Sequence, residues 1–248
     1  MGKLKRTEIG KSLKKLFYSL LDEDVMKYEV GLYEDLIIKY FKEDIIAIDA
    51  GCGDGTYESE WRDEKFHPKL IVGIDINIES LKNNRLINLA VKSSVKEIPF
   101  AEGIFDVIIC RSVIEHLPDP QETFKEFYRI LKKNGRLIVK TQSIYNPLMF
   151  INHILPDSVE LFLKRVLIKN TAYEGTYPTF YRCNSKKNFK RISKEAGFLE
   201  ERFIQHTQGH GYWRFSILKY FFLAIENISL LKFLRFMRPH IVACYVKP

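Results

Sequence analysis

Short apolar runs alternate with amphipathic stretches along much of this chain. Asp44 to Ile48, Leu70 to Ile74 and Phe105 to Cys110 are each rich in Ile and Val and bounded by polar residues or glycine. That is the pattern of strands buried on both faces. A fourth run, Arg136 to Lys140, follows a well-marked helix. Asp119 suits its N-cap, Pro120 its first position, Glu122 a reach back to the cap, and Gly135 its terminus. Phe124, Phe127, Tyr128 and Leu131 fall on one side of that helix and give it a face to bury. Strands alternating with helices predict an α/β domain, a mostly parallel sheet with helices on both faces.

The rhythm changes after residue 142, and four segments result. Residues 1–40 read as a basic N-terminal helical extension, 41–142 as the sheet-forming core, and 143–184 as an insertion broken by Pro147, Pro156 and Pro178. Residues 185–248 complete the fold, with a helix from Ser185 to Ala196 stopped by Gly197 and strands at Glu201 to His206 and Ile241 to Val246. Within that last part, segment 211–237 has a broad apolar helical face: Trp213, Ile217, Phe221, Ala224, Ile225, Ile228 and Leu231. Its longest unbroken apolar run, Tyr220 to Ile225, falls far short of the roughly 20 residues that cross a bilayer.

Composition narrows the class. A chain of 248 residues, 46% hydrophobic, can bury a full core. Cys52, Cys110, Cys183 and Cys244 are scattered without a CxxC pair, which predicts reduced cytoplasmic thiols, not a disulfide framework or a metal site. The N-terminus is basic but has no long apolar core, so it is not a secretory signal, and Arg6 stands where myristoylation needs Ser or Thr. The net charge of +8 is unevenly spread: residues 1–16 carry +5, residues 209–238 carry +4, and the remainder is near neutral. Both basic segments can meet an anionic membrane surface at its inner face, and segment 211–237 is equally suited to a lid or a homodimer contact.

Candidate chemistry centres on Asp49-Ala50-Gly51-Cys52-Gly53-Asp54-Gly55, a glycine turn straight after a predicted buried strand. Residues without Cβ let the backbone approach a ligand closely. Thr56 breaks the dinucleotide pattern Gly-x-Gly-x-x-Gly, which weighs against nicotinamide and flavin. Asp75, twenty residues after Gly55 and at the tip of the next strand, can accept from both ribose hydroxyls of an adenosine.

Five segments occur in order: DAGCGDG (49–55), VGIDIN (72–77), KEIPF (96–100), FDVIICRSVIEHLPDP (105–120) and ILKKNGRLIVKT (130–141). With them, 45–141 resembles the core of class I S-adenosylmethionine-dependent methyltransferases of the type 11 group. The resemblance implies a Rossmann-like fold with a mostly parallel seven-stranded sheet, joined here by a helical insertion and a C-terminal helical segment. It further implies that Asp49, Gly51, Cys52, Gly53 and Gly55 hold the amino-acid part of S-adenosylmethionine, Asp75 the ribose, and Ser94 and Val95 the adenine, with Ile76 also touching the cofactor. Cys110 and Arg111 then line the pocket beside the methionine portion, and no metal is required. The family often has Asp where this chain has Ser94, and a hydroxyl is a weaker acceptor.

Methyl transfer from a sulfonium is an in-line displacement, so alignment and desolvation dominate, and a hydroxyl acceptor adds the need for a base. Glu115, His116, His153 and Tyr181 are the candidates, with His116 and Tyr181 foremost. Each also has a structural reading: His116 as packing before Pro118, Tyr181 as a packing residue and Arg182 as a cap of carbonyls. Arg111 suits either an acidic group of a ligand or Glu115 four residues on. A second, looser resemblance runs from Tyr177 to Ser185 and on through Glu195-Ala196-Gly197-Phe198, to methyltransferases encoded among cell-surface polysaccharide genes. It implies O-methylation of a sugar or lipid-linked glycan, with the insertion 143–184 as an acceptor-side lid. RNA or another small molecule is the alternative acceptor, and a non-catalytic cofactor-binding scaffold at the membrane the alternative role. Nucleic acid is disfavoured because no Asn/Asp-Pro-Pro-Phe/Tyr sequence follows the Phe105 strand.

Overall fold

The computed structural model describes residues 32–55, 68–145, 177–206, 228–229 and 231–248. The N-terminal basic stretch, most of the predicted insertion with His153, and the segment from Trp213 to Ile225 lie outside the described residues. The chain divides into two units. One comprises Gly31–Ile144, Ala172–Ile204 and His240–Pro248, the other Met1–Val30, Tyr145–Thr171 and Gln205–Pro239.

The larger unit is built on a seven-stranded sheet. In chain order its elements are α1 (Leu32–Tyr40), β1 (Ile46–Ala50), β2 (Leu70–Asp75), α2 (Ile78–Asn83), β3 (Leu89–Lys92) and β4 (Phe105–Arg111). A 3-10 turn (Ile114–His116), α3 (Pro120–Ile130), β5 (Leu131–Gln142), α4 (Lys186–Glu195), β6 (Leu199–His206) and β7 (His240–Val246) follow. The strand order is β3-β2-β1-β4-β5-β7-β6. β1 pairs in parallel with β2 and β4, β2 with β3 and β4 with β5, while β7 runs antiparallel to β5.

Alternation along the strands sends successive side chains to opposite faces, and both faces are covered. Ile48, Ile108, Leu137, Val139 and Tyr245 join one core cluster with Phe124 and Phe127 of α3 and Phe189 and Ile192 of α4. The Phe189 and Tyr245 rings stack at 6.4 Å, and Phe124 meets Phe189 edge-on at 5.9 Å. On the opposite face α1 lies against β5, where Glu34 and Lys140 form a buried ion pair at 3.4 Å.

Several boundaries differ from the sequence expectation. β1 lies two residues later than predicted, because its pairing with β2 runs from Ile46 to Ala50 and carries Asp49 into the strand. α3 begins at Pro120, but the Asp119 side chain makes no capping bond and Glu122 pairs with Lys96 at 3.3 Å. Nor does Gly135 end that helix. The chain passes from Ile130 straight into β5, and the Lys247 ammonium takes up the Tyr128 and Leu131 carbonyls at 2.8 Å each. Gly135 lies within β5, where a Cβ would come within 2.9 Å of the Lys132 carbonyl oxygen. α4 matches its forecast more closely: Ser185 caps it by accepting from the Asn188 N–H, and Gly197 follows at φ +99°.

In the smaller unit, the described residues include a buried Arg238 whose guanidinium donates to the Ser229 and Gln205 carbonyls at 3.1 and 2.9 Å. Tyr145 meets Phe236 edge-on at 5.9 Å. Among the described residues no helix is long and apolar enough to cross a membrane.

Candidate cofactor and acceptor site

The strand order reverses between β1 and β4: the chain builds outward through β2 and β3 on one side, then through β4, β5 and β6 on the other, with β7 last, inserted between β5 and β6. At such a switch point the loops leaving the carboxyl ends diverge and open a crevice. The glycine turn after β1, Asp75 ending β2 and Arg111 ending β4 all lie at those ends.

The turn is held by its neighbours through backbone and side-chain bonds. The N–H groups of Gly51 and Cys52 donate to the Ile74 carbonyl at 2.8 and 3.0 Å. Asp75 accepts from the Gly53 N–H at 2.9 Å with one carboxylate oxygen and from the Asn77 N–H at 2.8 Å with the other. The Asn84 amide donates to the Cys52 and Gly53 carbonyls at 3.3 and 3.2 Å. Gly51, Gly53 and Gly55 take φ values of +78°, +51° and +74°, so all three use conformations that side chains disfavour.

Space separates them further. A Cβ at Gly51 would lie 2.3 Å from a Val113 methyl, and one at Gly55 would lie 2.6 Å from Asn84 Oδ1. At Gly53 a Cβ would meet nothing within 4 Å among the described residues. Gly53 therefore borders open space beside Asp75, whose oxygens keep lone pairs beyond the two bonds named. This combination fits an adenosine ribose and an amino-acid group approaching along the backbone. The Cys52 thiol does not serve as a nucleophile: burial first, then the charges of Asp49 and Asp75, push its pKa far up and keep it neutral.

The remaining predicted cofactor residues separate into groups. Asp49 is buried within β1 and Ile76 is 53% exposed just after β2. Ser94 is exposed, and its hydroxyl accepts from the Lys96 N–H at 3.2 Å within a local turn, while Val95 beside it is buried. Cys110 and Arg111, expected to line the pocket together, point to opposite faces of β4. Cys110 joins the core with Ile114, Leu117 and Phe124, whereas the Arg111 guanidinium lies 5.8 Å from the centre of the Tyr33 ring on α1.

His116 and Tyr181 come together around Glu115. The Glu115 carbonyl accepts from the N–H groups of Phe180 and Tyr181 at 2.8 and 3.2 Å, and His116 Nδ1 lies 3.0 Å from the Pro178 carbonyl oxygen. Tyr177 packs against the imidazole at 6.1 Å between centroids. Tyr181 is buried at φ +51°, a conformation fixed by this strap of chain. Glu115 is itself buried and accepts from the Thr141 hydroxyl at 2.6 Å. Burial raises its pKa, opposed by the Thr141 bond, a backbone bond and the adjacent His116. Thr141 in turn accepts from the Asn184 amide at 2.9 Å, which also donates to the Gln142 carbonyl at 2.7 Å.

Sequence reasoning passed over Asn77, Asn84, Val113, Thr141 and Asn184. Asn77 had a readable signal, an Asx residue at a helix start, and it caps α2 by accepting from Glu79 and Ser80. Asn84 and Asn184 had none, since each acts on partners more than thirty residues away.

Comparison with known proteins adds a family to this geometry. Residues 48–139 match the methyltransferase-domain family. An uncharacterized protein of Methanocaldococcus jannaschii is 28% identical over 163 residues, 65% of this chain and 66% of that protein. A tRNA U34 carboxymethyltransferase of Campylobacter fetus is 34% identical over 109 residues, 41% of this chain and 38% of that enzyme. The chain thus spans less than two thirds of the length of these relatives. Among solved structures, the geranyl diphosphate C-methyltransferase of Streptomyces coelicolor, in complex with Mg2+, geranyl diphosphate and S-adenosyl-L-homocysteine, shares the fold. Its TM-score is 0.52 at 13% identity, covering 86% of this chain and 76% of that one. The match from 48 to 139 takes in the glycine turn, Asp75 and β4, and the sheet that carries them has the Rossmann-like class I methyltransferase fold.

Proposed function

We propose that the chain is an S-adenosylmethionine-dependent methyltransferase that methylates a hydroxyl of a sugar or lipid-linked glycan. The observation that carries the cofactor part is the Asp75 carboxylate bonded to the Gly53 N–H beside open space. When bound, S-adenosylmethionine supplies an electrophilic methyl on sulfur. Asp75 would accept from the ribose hydroxyls, the glycine turn would receive the amino-acid group, and Ile76 and Val95 would give the adenine its apolar contacts.

The acceptor part rests on His116. Its Nδ1 meets a carbonyl, which can only accept, so Nδ1 carries the hydrogen and, in the neutral imidazole, Nε2 has the lone pair. That Nε2 would take the proton of the acceptor hydroxyl whose oxygen receives the methyl. Tyr181 shapes the acceptor side through its place in the strap.

An RNA acceptor is a second reading, favoured by the tRNA-modifying Campylobacter relative, although that similarity extends over only 38% of the enzyme. Calorimetry with S-adenosylmethionine tests the cofactor assignment, and wild-type protein that does not bind it ends the proposal. A tritiated-methyl transfer screen over cell extract fractions separates lipid-linked glycan from RNA, protein and small molecules. Label confined to RNA would replace the glycan reading. Contact of the basic N-terminus and segment 211–237 with a membrane is the remaining part of the proposal, and failure to float with anionic liposomes removes it.

A further inference from the structure

The Glu115–Thr141–Asn184 chain does more than fill the core. Thr141 has one hydroxyl hydrogen, and Glu115 takes it. Thr141 must therefore accept from Asn184, and the Gln142 carbonyl also requires the Asn184 NH2, so the amide has one allowed orientation. Asn184 is tied a third time, its own backbone carbonyl accepting from the Ile144 N–H at 2.9 Å. Four and three residues earlier the same strap is fastened by the Phe180 and Tyr181 N–H groups on the Glu115 carbonyl. Pro178 sits just beyond that fastening, and its carbonyl faces His116 Nδ1 at 3.0 Å.

We propose that Glu115, Thr141 and Asn184 are positioning residues that clamp the strap 177–185 onto the 3-10 turn, so that the Pro178 carbonyl holds His116 in its Nδ1–H tautomer with Nε2 as the proton acceptor. Glu115 is the pivot, because its side chain binds Thr141 while its carbonyl fastens the strap and its neighbour is His116. Either protonation state of Glu115 leaves an oxygen to accept from Thr141, so the clamp does not depend on its titration. Orienting a base through the hydrogen bond on its other nitrogen is the device by which an imidazole is kept in one tautomer. Only the use made of Nε2 rests on the methyl-transfer reading, and the tautomer itself can be measured without turnover.

The experiment is long-range 15N NMR of the histidine side chains in the full chain, with the His116 signals identified by their loss in His116→Gln. Wild type is expected to show Nδ1 protonated and Nε2 bare as the dominant form, the opposite of what free neutral histidine prefers. Thr141→Val, which keeps the shape but removes the hydroxyl, is expected to reduce that form to less than half, whereas Thr141→Ser retains it. Thermal melts accompany each variant. If Thr141→Val does not fold, Asn184→Ser, too short to reach both Thr141 and Gln142, serves in its place with the same expected loss. A wild-type His116 that is mainly Nε2–H overturns the proposal. So does a folded Thr141→Val or Asn184→Ser with an unchanged pattern, or a Thr141→Ser that loses it. S-adenosylmethionine binding, followed by calorimetry on the same samples, reports separately on the cofactor reading.

Discussion

The Asp75 carboxylate accepts from the Gly53 backbone N–H at 2.9 Å, so the residue assigned to ribose recognition also sets the shape of the glycine turn. Asp75→Asn offers one oxygen and one NH2 to two N–H donors, those of Gly53 and Asn77, and must fail one of them. A hydrogen bond to a charged group contributes about 1.5 to 3 kcal/mol, equivalent to about a 10- to 100-fold change in an equilibrium constant. Calorimetry should show S-adenosylmethionine affinity weakened by at least the lower of those factors, with Asp75→Ala at least as weak. Unchanged affinity in both variants would remove Asp75 from the binding site.

Gly51 and Gly53 invite a sharper comparison, because both have positive φ yet only Gly51 is crowded. Gly51→Ala combines dihedral strain with a Cβ 2.3 Å from a Val113 methyl, so it should lower the melting temperature markedly. Gly53→Ala carries a strain of roughly 1 to 2 kcal/mol alone and should stay folded, while its methyl occupies the open space beside Asp75. The expected pattern is a stability loss at Gly51 and a cofactor-affinity loss at Gly53. Equal binding by wild type and Gly53→Ala would mean that the open space is not where the ligand lies.

How much of this could be read from the chain alone depends on the reach of each signal. The strands at Leu70 and Phe105, the helix starting at Pro120 and the helix stopped by Gly197 announce themselves within a few residues, and the structure has each of them. The glycine turn and Asp75 were legible for the same reason. β3 was missed because it is four residues long and mostly exposed at the sheet edge, so it lacks the apolar run by which its neighbours were recognised. Adjacency in sequence does not give adjacency in space: alternation along β4 places the Cys110 side chain in the core and the Arg111 guanidinium beside Tyr33. The Glu115–Thr141–Asn184 chain joins residues 26 and 43 positions apart, and no local pattern encodes such a meeting.

Glu201 on β6 gathers Lys39, Tyr40 and Arg136, with the ammonium at 3.0 Å, the guanidinium at 2.7 Å and the Tyr40 hydroxyl also donating. Burial raises its pKa, but the hydrogen bonds from Tyr40, Lys39 and Arg136 outweigh it and bring the value to about 2, from an ordinary 4.5. A depressed folded value means stability present above 4.5 and lost as pH falls through about 2. Urea denaturation across that interval should fall less steeply in Glu201→Gln than in wild type. Parallel curves would show that the cluster contributes nothing to acid stability.

Glu115 should behave in the opposite sense. Burial raises its pKa above the ordinary 4.5, so the folded chain binds this proton at pH values where the unfolded chain has released it. Its contribution is fully present below 4.5 and is lost as pH rises through the raised folded value, where an ionised carboxylate must stay buried. Glu115→Gln has no proton to lose and keeps an oxygen to accept from Thr141. Relative to wild type it should therefore gain stability as pH rises from 4.5 toward neutrality, in urea denaturation followed at several pH values. A difference between the two proteins that stays constant over that range would show that the Glu115 pKa is the same folded and unfolded. The Thr141 hydroxyl, the backbone hydrogen bond and His116 would then be offsetting the whole effect of burial, which makes this titration a direct measure of how well the clamp solvates its own buried carboxylate.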